Sequence, residues 1–443
     1  MTMLLRNGRL VNEGRIEEAD LLIEGERIAR IGPGPAPAGG QVLDLDGRYV
    51  LPGLIDDQVH FREPGHPAKG TIESESRAAV AGGVTSFLDM PNNSPPAVTL
   101  AAIAEKRASA ARTSYANYGF YLGATNTNLD EIRRASAAEV CGIKVFMGAS
   151  TGNLLVDDSA TLERIFAEAR VPIAAHCEDT PMILEAERRF RERYGDDVPI
   201  SAHLEIRSAE ACYASSSRAV ELARRHGARL HVLHLSTERE LELFEPGPVE
   251  GKRVTAEVCV HHLWFEQSDY ARLGARIKCN PAIKTARDRD ALVRALAEDR
   301  IDVIATDHAP HTAAEKSRRY FEAPSGLPLV QHSLAMLLEQ HRAGLLSLAT
   351  IVEKAAHNPA RLFGIVDRGF IREGYYADLV VVDLAAATRV TPDSLLYRCG
   401  WSPLEGETFH SAVVMTVLNG RIAYRDGVVS PERLGRALEF RAP

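Results

Sequence analysis

His60, His176, His234 and Asp307 stand far apart in the chain, yet each closes a short apolar run: DDQVH, PIAAH, HVLH and VIATD. Imidazole and carboxylate are the groups that hold a zinc-like divalent ion. One histidine at the end of an apolar run is usually structural. Four such groups from four runs point to a shared cation, provided the fold gathers the run ends. Such a cation brings the pKa of bound water toward ~7. Lys144 sits between Ile143 and Val145. An ammonium binds no metal, but burial favours the neutral amine. That amine can add CO₂ to give a carbamate whose two oxygens bridge cations. The alternative is an ion pair with Asp307 or Glu178. Arg62, two residues past His60, offers a guanidinium that grips a carboxylate through paired hydrogen bonds; its alternative is an ion pair with Glu63 or Asp57. Read as strand residues, His261 and His262 face opposite ways, so both are expected to be structural, and His308 is expected to support the site rather than enter it.

Eight apolar runs are expected as strands: GLIDDQVHF, VTSFLDM, ANYGFYLGA, GIKVFMGA, VPIAAHCE, RLHVLHLS, RVTAEVCV and IDVIATDHA. Between most of them lie stretches of helical spacing, such as SATLERIFAEAR and ARDRDALVRALAEDR. Eight alternations predict a (β/α)₈ barrel, an α/β fold whose strand C-termini converge on one mouth. Strand alternation places Gln58, His60 and Arg62 on one face of the first. A doubly wound open sheet is the runner-up, weakened because no GxGxxG opens a helix after a strand. Both chain ends differ from this middle. LLRNGRLV, EADLLIEGERIARIG, YADLVVVDL and SAVVMTVLNGRIAYRDGVV read as strands divided by Asn-Gly and Glu-Gly turns. The expectation is a small β-sandwich domain built from residues 1–52 and 365–443, around a barrel spanning 53–364. The charged segment Thr312–Gly326, just past Asp307, reads either as a lid or as a plain surface loop.

Composition excludes several classes. With 45% hydrophobic and 25% charged residues, the 443-residue chain is an ordinary globular one. Its net charge of −8 argues against sequence-independent nucleic-acid binding. No apolar run reaches the roughly 18 residues of a membrane span. The N-terminus lacks a charged-then-apolar leader, and six scattered cysteines without a CxxC pair fit reduced thiols, so the expected location is cytoplasmic.

The stretch PGLIDDQVHFREPG (52–65) resembles the signature of dihydroorotases in the cyclic amidohydrolase group. MPNNSPP, GIKVFMGASTGN, AAHCED, HVLHLS, CNPAIK and TDHAPH follow in that family's order. The resemblance spans roughly residues 50–330. It implies a zinc enzyme, with one or two ions, that interconverts carbamoyl-aspartate and dihydroorotate in pyrimidine synthesis. It implies metal ligation by His60, His176, His234 and Asp307, with Lys144 as the bridging carboxylated lysine and Asp307 as general acid/base. It implies that Arg62, Asn92 and His311 hold the substrate carboxylate, and that Asn280, Ser325 and Gly326 meet the ring. One residue departs from the pattern: Gln58 replaces the first histidine of HxH, and an amide oxygen is a poorer zinc ligand. A one-metal enzyme, or one with unequal sites, is therefore expected. The alternatives are a hydantoinase- or allantoinase-like amidohydrolase, or a catalytically weak subunit supporting aspartate carbamoyltransferase. A homodimer or a complex with that transferase is expected by analogy alone.

Overall fold

Eight strands carry the site: Leu54–Val59, Val84–Asp89, Asn117–Gly123, Gly142–Phe146, Ile173–His176, Leu230–Val232, Val254–Cys259 and Val303–Ala305, all within the runs expected from the sequence. They come from a computed structural model that describes residues 2–36, 38–148 and 154–441. The last five residues of GIKVFMGASTGN therefore lie outside the described residues. Neighbouring strands pair in parallel and in chain order. The eighth returns to the first, where His60 N–H donates to His308 O at 2.8 Å and Val59 bridges His308. This is the expected (β/α)₈ barrel. Nearly every strand residue is buried, because helices cover the outer face and side chains fill the inner one.

The covering helices begin and end on local signals. Ser159–Glu168 is capped by Asp158, whose carboxylate accepts from Thr161 N–H, and it buries Leu162, Ile165 and Phe166. Ala209–His226 starts at Ser208 and stops at Gly227, which takes the left-handed conformation that a side chain resists. Thr285 and Asp288 form a capping box for Ala286–Ala297. Among the described residues, no helix is long and apolar enough to cross a membrane.

The two chain ends meet in one nine-stranded sheet beside the barrel. Thr2–Asn12 pairs with Arg15–Glu24 on one edge, and with Gln41–Asp44 and then Tyr49–Pro52 on the other. Tyr49–Pro52 runs antiparallel to Leu379–Asp383, which joins the N- and C-terminal halves. Met3, Leu21, Ile23, Val50, Leu379 and Val381 form its own core. Asn7-Gly8 is not the turn its sequence suggests. Thr2–Asn12 continues through it with a shift in register between Leu5 and Gly8, and the chain reverses at Glu13-Gly14. An Asn at φ 56° serves a bulge as well as a turn. Segments beyond the last sheet strands also reach the barrel. Trp401 Nε1–H donates to His311 O at 2.7 Å, and Leu438 is buried against the third barrel strand's surroundings.

Candidate active site and metal centre

The C-terminal ends of the strands open into one cleft. Gln58, His60 and Arg62 line it from the first strand, Lys144 and Phe146 from the fourth, His176 and His234 from the fifth and sixth. Asn280, Asp307, Ala309, Ser325 and Gly326 complete the wall. Ten of the twelve site residues expected from the sequence thus share one cavity. The other two stand directly behind it: Asn92 against His60, and His311 against Arg62.

The expected metal ligands arrive in two pairs. His176 Nδ1 and His234 Nε2 face each other at 2.9 Å. Burial holds both imidazoles below the usual histidine range, with each other's charge and Lys144 adding to it for His234, so neutral ring nitrogens face one another. His60 Nε2 lies 3.0 Å from Asp307 Oδ1. His60 Nδ1–H donates to Asn92 Oδ1 at 2.6 Å, which turns Nε2 toward the carboxylate. Both pairs offer donor atoms of the kind a divalent ion takes. Burial alone would raise the Asp307 carboxyl, but the hydrogen bond and charge of His60, with His261 and Lys144, outweigh it and keep Asp307 ionised.

Lys144 is buried, and no carboxylate lies within 4.0 Å of its Nζ among the described residues, so the ion pair with Asp307 or Glu178 is not formed. Burial pulls its ammonium down to about 8 against the attraction of Asp307 and Glu257. Gln58 turns its amide nitrogen toward Asp307 Oδ1 at 3.2 Å. Arg62 is 5% exposed and has no carboxylate partner among the described residues. Glu63, its expected alternative, instead accepts from Ile72 N–H and Ser109 Oγ–H. Arg62 donates to Pro310 O at 3.1 Å and to His311 Nε2 at 3.0 Å. Burial pulls even this guanidinium down to about 10. Arg62, His234 and Asp307 all take positive φ, at 65°, 42° and 46°. The other such non-glycine residues are Asn, Asp or Glu, the first two of which tolerate that region. Strain at an Arg and a His in the cleft is the kind held for function.

Sequence reading missed three features. Glu178 is fully buried, its Oε2 is 3.0 Å from His176 Nε2, and Arg207 binds the same oxygen. The charge of Arg207 and the contact with His176 overcome desolvation and hold Glu178 near 2. Gly148 permits this approach, since a Cβ there would stand 2.1 Å from Glu178 O. Second, Asp57, His231 and Glu257 meet inside the barrel, His231 Nε2 being 3.1 Å from Asp57 and 3.7 Å from Glu257. Burial disfavours the imidazolium, but the two carboxylates push His231 up to about 9. Third, His261 and His262 lie on a short helix, Val260–Trp264, so their rings pack 4.2 Å apart rather than pointing oppositely. With Cys259 they form a ligand-type group, as do Asp57, His231 and Glu257, but neither group contributes to the cleft. His308 is fixed by Glu75 at 2.8 Å and by two backbone amides, as a support should be.

The Thr312–Gly326 segment is packed down. Lys316 Nζ donates to the carbonyls of Lys278, Pro324 and Gly326, each at 3.0 Å, and Lys278 Nζ reaches those of Tyr320 and Ala323. These bonds hold Ser325 and Gly326 against the cleft.

A profile of the Amidohydrolase family matches residues 49–423. A dihydroorotase of Halobacterium salinarum is 36% identical over 94% of this chain and 96% of its own length. An allantoinase of Solibacter usitatus is 33% identical over 99% of this chain and 97% of its own. The solved L-hydantoinase (dihydropyrimidinase) of Arthrobacter aurescens superposes with a TM-score of 0.93 at 29% identity, covering 99% of both chains.

Proposed function

The chain belongs to the amidohydrolase family and is a hydrolase of cyclic amides; from that premise we propose that it is a dihydroorotase, closing N-carbamoyl-L-aspartate to L-dihydroorotate and reopening it. One observation carries the choice of substrate. Arg62 is a buried cation in the cleft wall without a carboxylate partner among the described residues. Burying such a charge alone is costly, and a substrate carboxylate repays that cost on binding. Dihydroorotate carries a carboxylate on its ring; hydantoin and allantoin do not.

The chain's own groups then have distinct tasks. Arg62, backed by a neutral His311 that accepts its hydrogen bond, fixes the carboxylate and so orients the scissile amide. Asn280 accepts from Ser325 Oγ–H at 3.0 Å, which holds the amide ready for the ring edge, with Gly326 beside it. His176 and His234 would hold one zinc ion; His60 and Asp307 would hold another, or share the first, through a carboxylated Lys144. Bound there, zinc supplies a Lewis acid and a water ionisable near neutral pH. Asp307, kept ionised, accepts a proton at its carboxylate and returns it to the leaving nitrogen, a role worth roughly 10²–10⁴-fold. In the ring-closing direction it takes that proton from the carbamoyl nitrogen. Gln58 donates to Asp307 instead of offering a second nitrogen ligand beside His60, so the first-strand ion would be the more weakly held.

The test is turnover by protein supplied with zinc and bicarbonate. Dihydroorotate should exceed hydantoin and allantoin in kcat/KM by at least ~100-fold, the discrimination a buried charge pair provides. Faster opening of either uncharged ring would overturn the assignment.

A further inference from the structure

A second cavity, of about 300 Å³, lies at the opposite end of the barrel from the cleft, among the residues that lead into the fifth, sixth and seventh strands. Pro172, Arg229 and Arg253 each immediately precede a strand. The strands pair in register as Ile173–Leu230–Val254, and the ladder runs on below them, with Ile173 N–H donating to Arg229 O and Leu230 N–H to Arg253 O, both at 2.8 Å. Arg229 and Arg253 are therefore side by side on adjacent strands. Like charges placed opposite one another destabilise a sheet.

The surroundings leave that repulsion uncompensated. Among the described residues, four arginine and lysine side chains line the cavity: Arg229, Lys252, Arg253 and Arg361. Lys252 is neutralised by Asp302 at 2.8 Å, and Arg361 by Glu250 at 2.7 Å. Glu250 is the one carboxylate in the lining among the described residues. Arg229 and Arg253 have no carboxylate within 4.0 Å among the described residues; they donate to the backbone carbonyls of Leu362 and Gly227. Burial and the charge of Arg253 both lower the Arg229 guanidinium, so the two feel each other. This concentration of positive charge occurs on a chain whose net charge is −8.

We propose that this cavity is an anion site, in which Arg229 and Arg253 together bind a phosphate group. Paired guanidiniums match the geometry and charge of a phosphate dianion better than those of a monoanion. The concave wall excludes part of the solvent and strengthens the attraction. Val249 and Leu362 form an apolar wall next to the two arginines, suited to the organic part of a phosphate ester. The volume accommodates inorganic phosphate with room to spare and falls at the lower end for a small metabolite.

The test is calorimetric titration of the zinc-loaded protein, in low-salt buffer, with inorganic phosphate and with adenosine 5′-monophosphate. One saturable site per chain is expected. Tighter binding of the ester identifies an organic phosphate; equal or tighter binding of inorganic phosphate identifies the free ion. Arg229→Gln with Arg253→Gln should weaken binding at least 10-fold and leave dihydroorotate turnover unchanged. Arg253→Glu, at an exposed position that tolerates polar change, should abolish binding and serves if the double variant misfolds. Arg62→Gln, in the opposite mouth, should leave binding intact. The absence of a saturable site, binding retained by Arg253→Glu, or binding lost in Arg62→Gln would each overturn the proposal.

Discussion

Gln58 and Glu178 show how differently two polar residues reveal themselves. Gln58 was legible as an anomaly because it stands where the family's motif has histidine. Only the fold shows what it does instead: its amide nitrogen meets Asp307. Gln58→His should raise metal content toward two ions per chain by elemental analysis; unchanged content would place residue 58 outside the ligand set. His60, His176, His234 and Asp307 were legible because ligand-type groups are rare at the ends of apolar strands. The Glu178–Arg207 clamp was not, since Arg207 joins Glu178 only through the fold and no local pattern links them. A carboxylate on the far nitrogen of a ligand histidine fixes its ring and raises its basicity. Glu178→Ala should therefore weaken zinc binding by roughly 10–100-fold in competition with a chelator, with partial recovery in Glu178→Gln. Unaltered affinity in Glu178→Ala would show that the ring of His176 needs no clamp.

At the scale of elements, all eight barrel strands fall within the runs expected, because a strand buried on both faces is nearly continuous in apolar residues. Short elements defeated the same reasoning. The five-residue helix Val260–Trp264 carries too few residues to show a period, so the sequence suggests strand geometry for His261 and His262. Asn7-Gly8 made a bulge because its strand continues beyond it. The segment after Asp307 left a lid and a loop equally open on sequence. Its structure is a clasp, with the Lys316 ammonium at the centre of three carbonyls. Lys316→Met removes all three bonds, each worth roughly 0.5–3 kcal/mol. The variant should raise KM for dihydroorotate several-fold and expose the 312–326 segment to limited proteolysis. Wild-type KM together with wild-type protease resistance would mean the clasp does not hold Ser325 and Gly326 in place.

The whole molecule joins a barrel to a sheet made from both chain ends, and the repeated strand-turn-strand rhythm of the termini announced that union. The charges inside the barrel gave no such warning, since Asp57, His231 and Glu257 come from three strands whose partners only the closed barrel decides. His231 titrates near 9 in the folded protein, against 6.5 for an ordinary histidine. A raised histidine pKa contributes stability that is complete below about pH 6.5 and disappears as pH rises through 9. The destabilisation caused by His231→Gln, followed by urea unfolding, should thus be smaller at pH 9.5 than at pH 6 by on the order of 3 kcal/mol. A pH-independent difference would separate His231 from its carboxylates. The assignment of the cleft itself rests on the charge that Arg62 presents to substrate. Its most direct measurement is kcat/KM for dihydroorotate and for dihydrouracil, the same ring without the carboxylate, in wild type and in Arg62→Ala. The account predicts a fall of about 10²–10³-fold for dihydroorotate and little change for dihydrouracil; equal losses on both rings, or none on either, would contradict it.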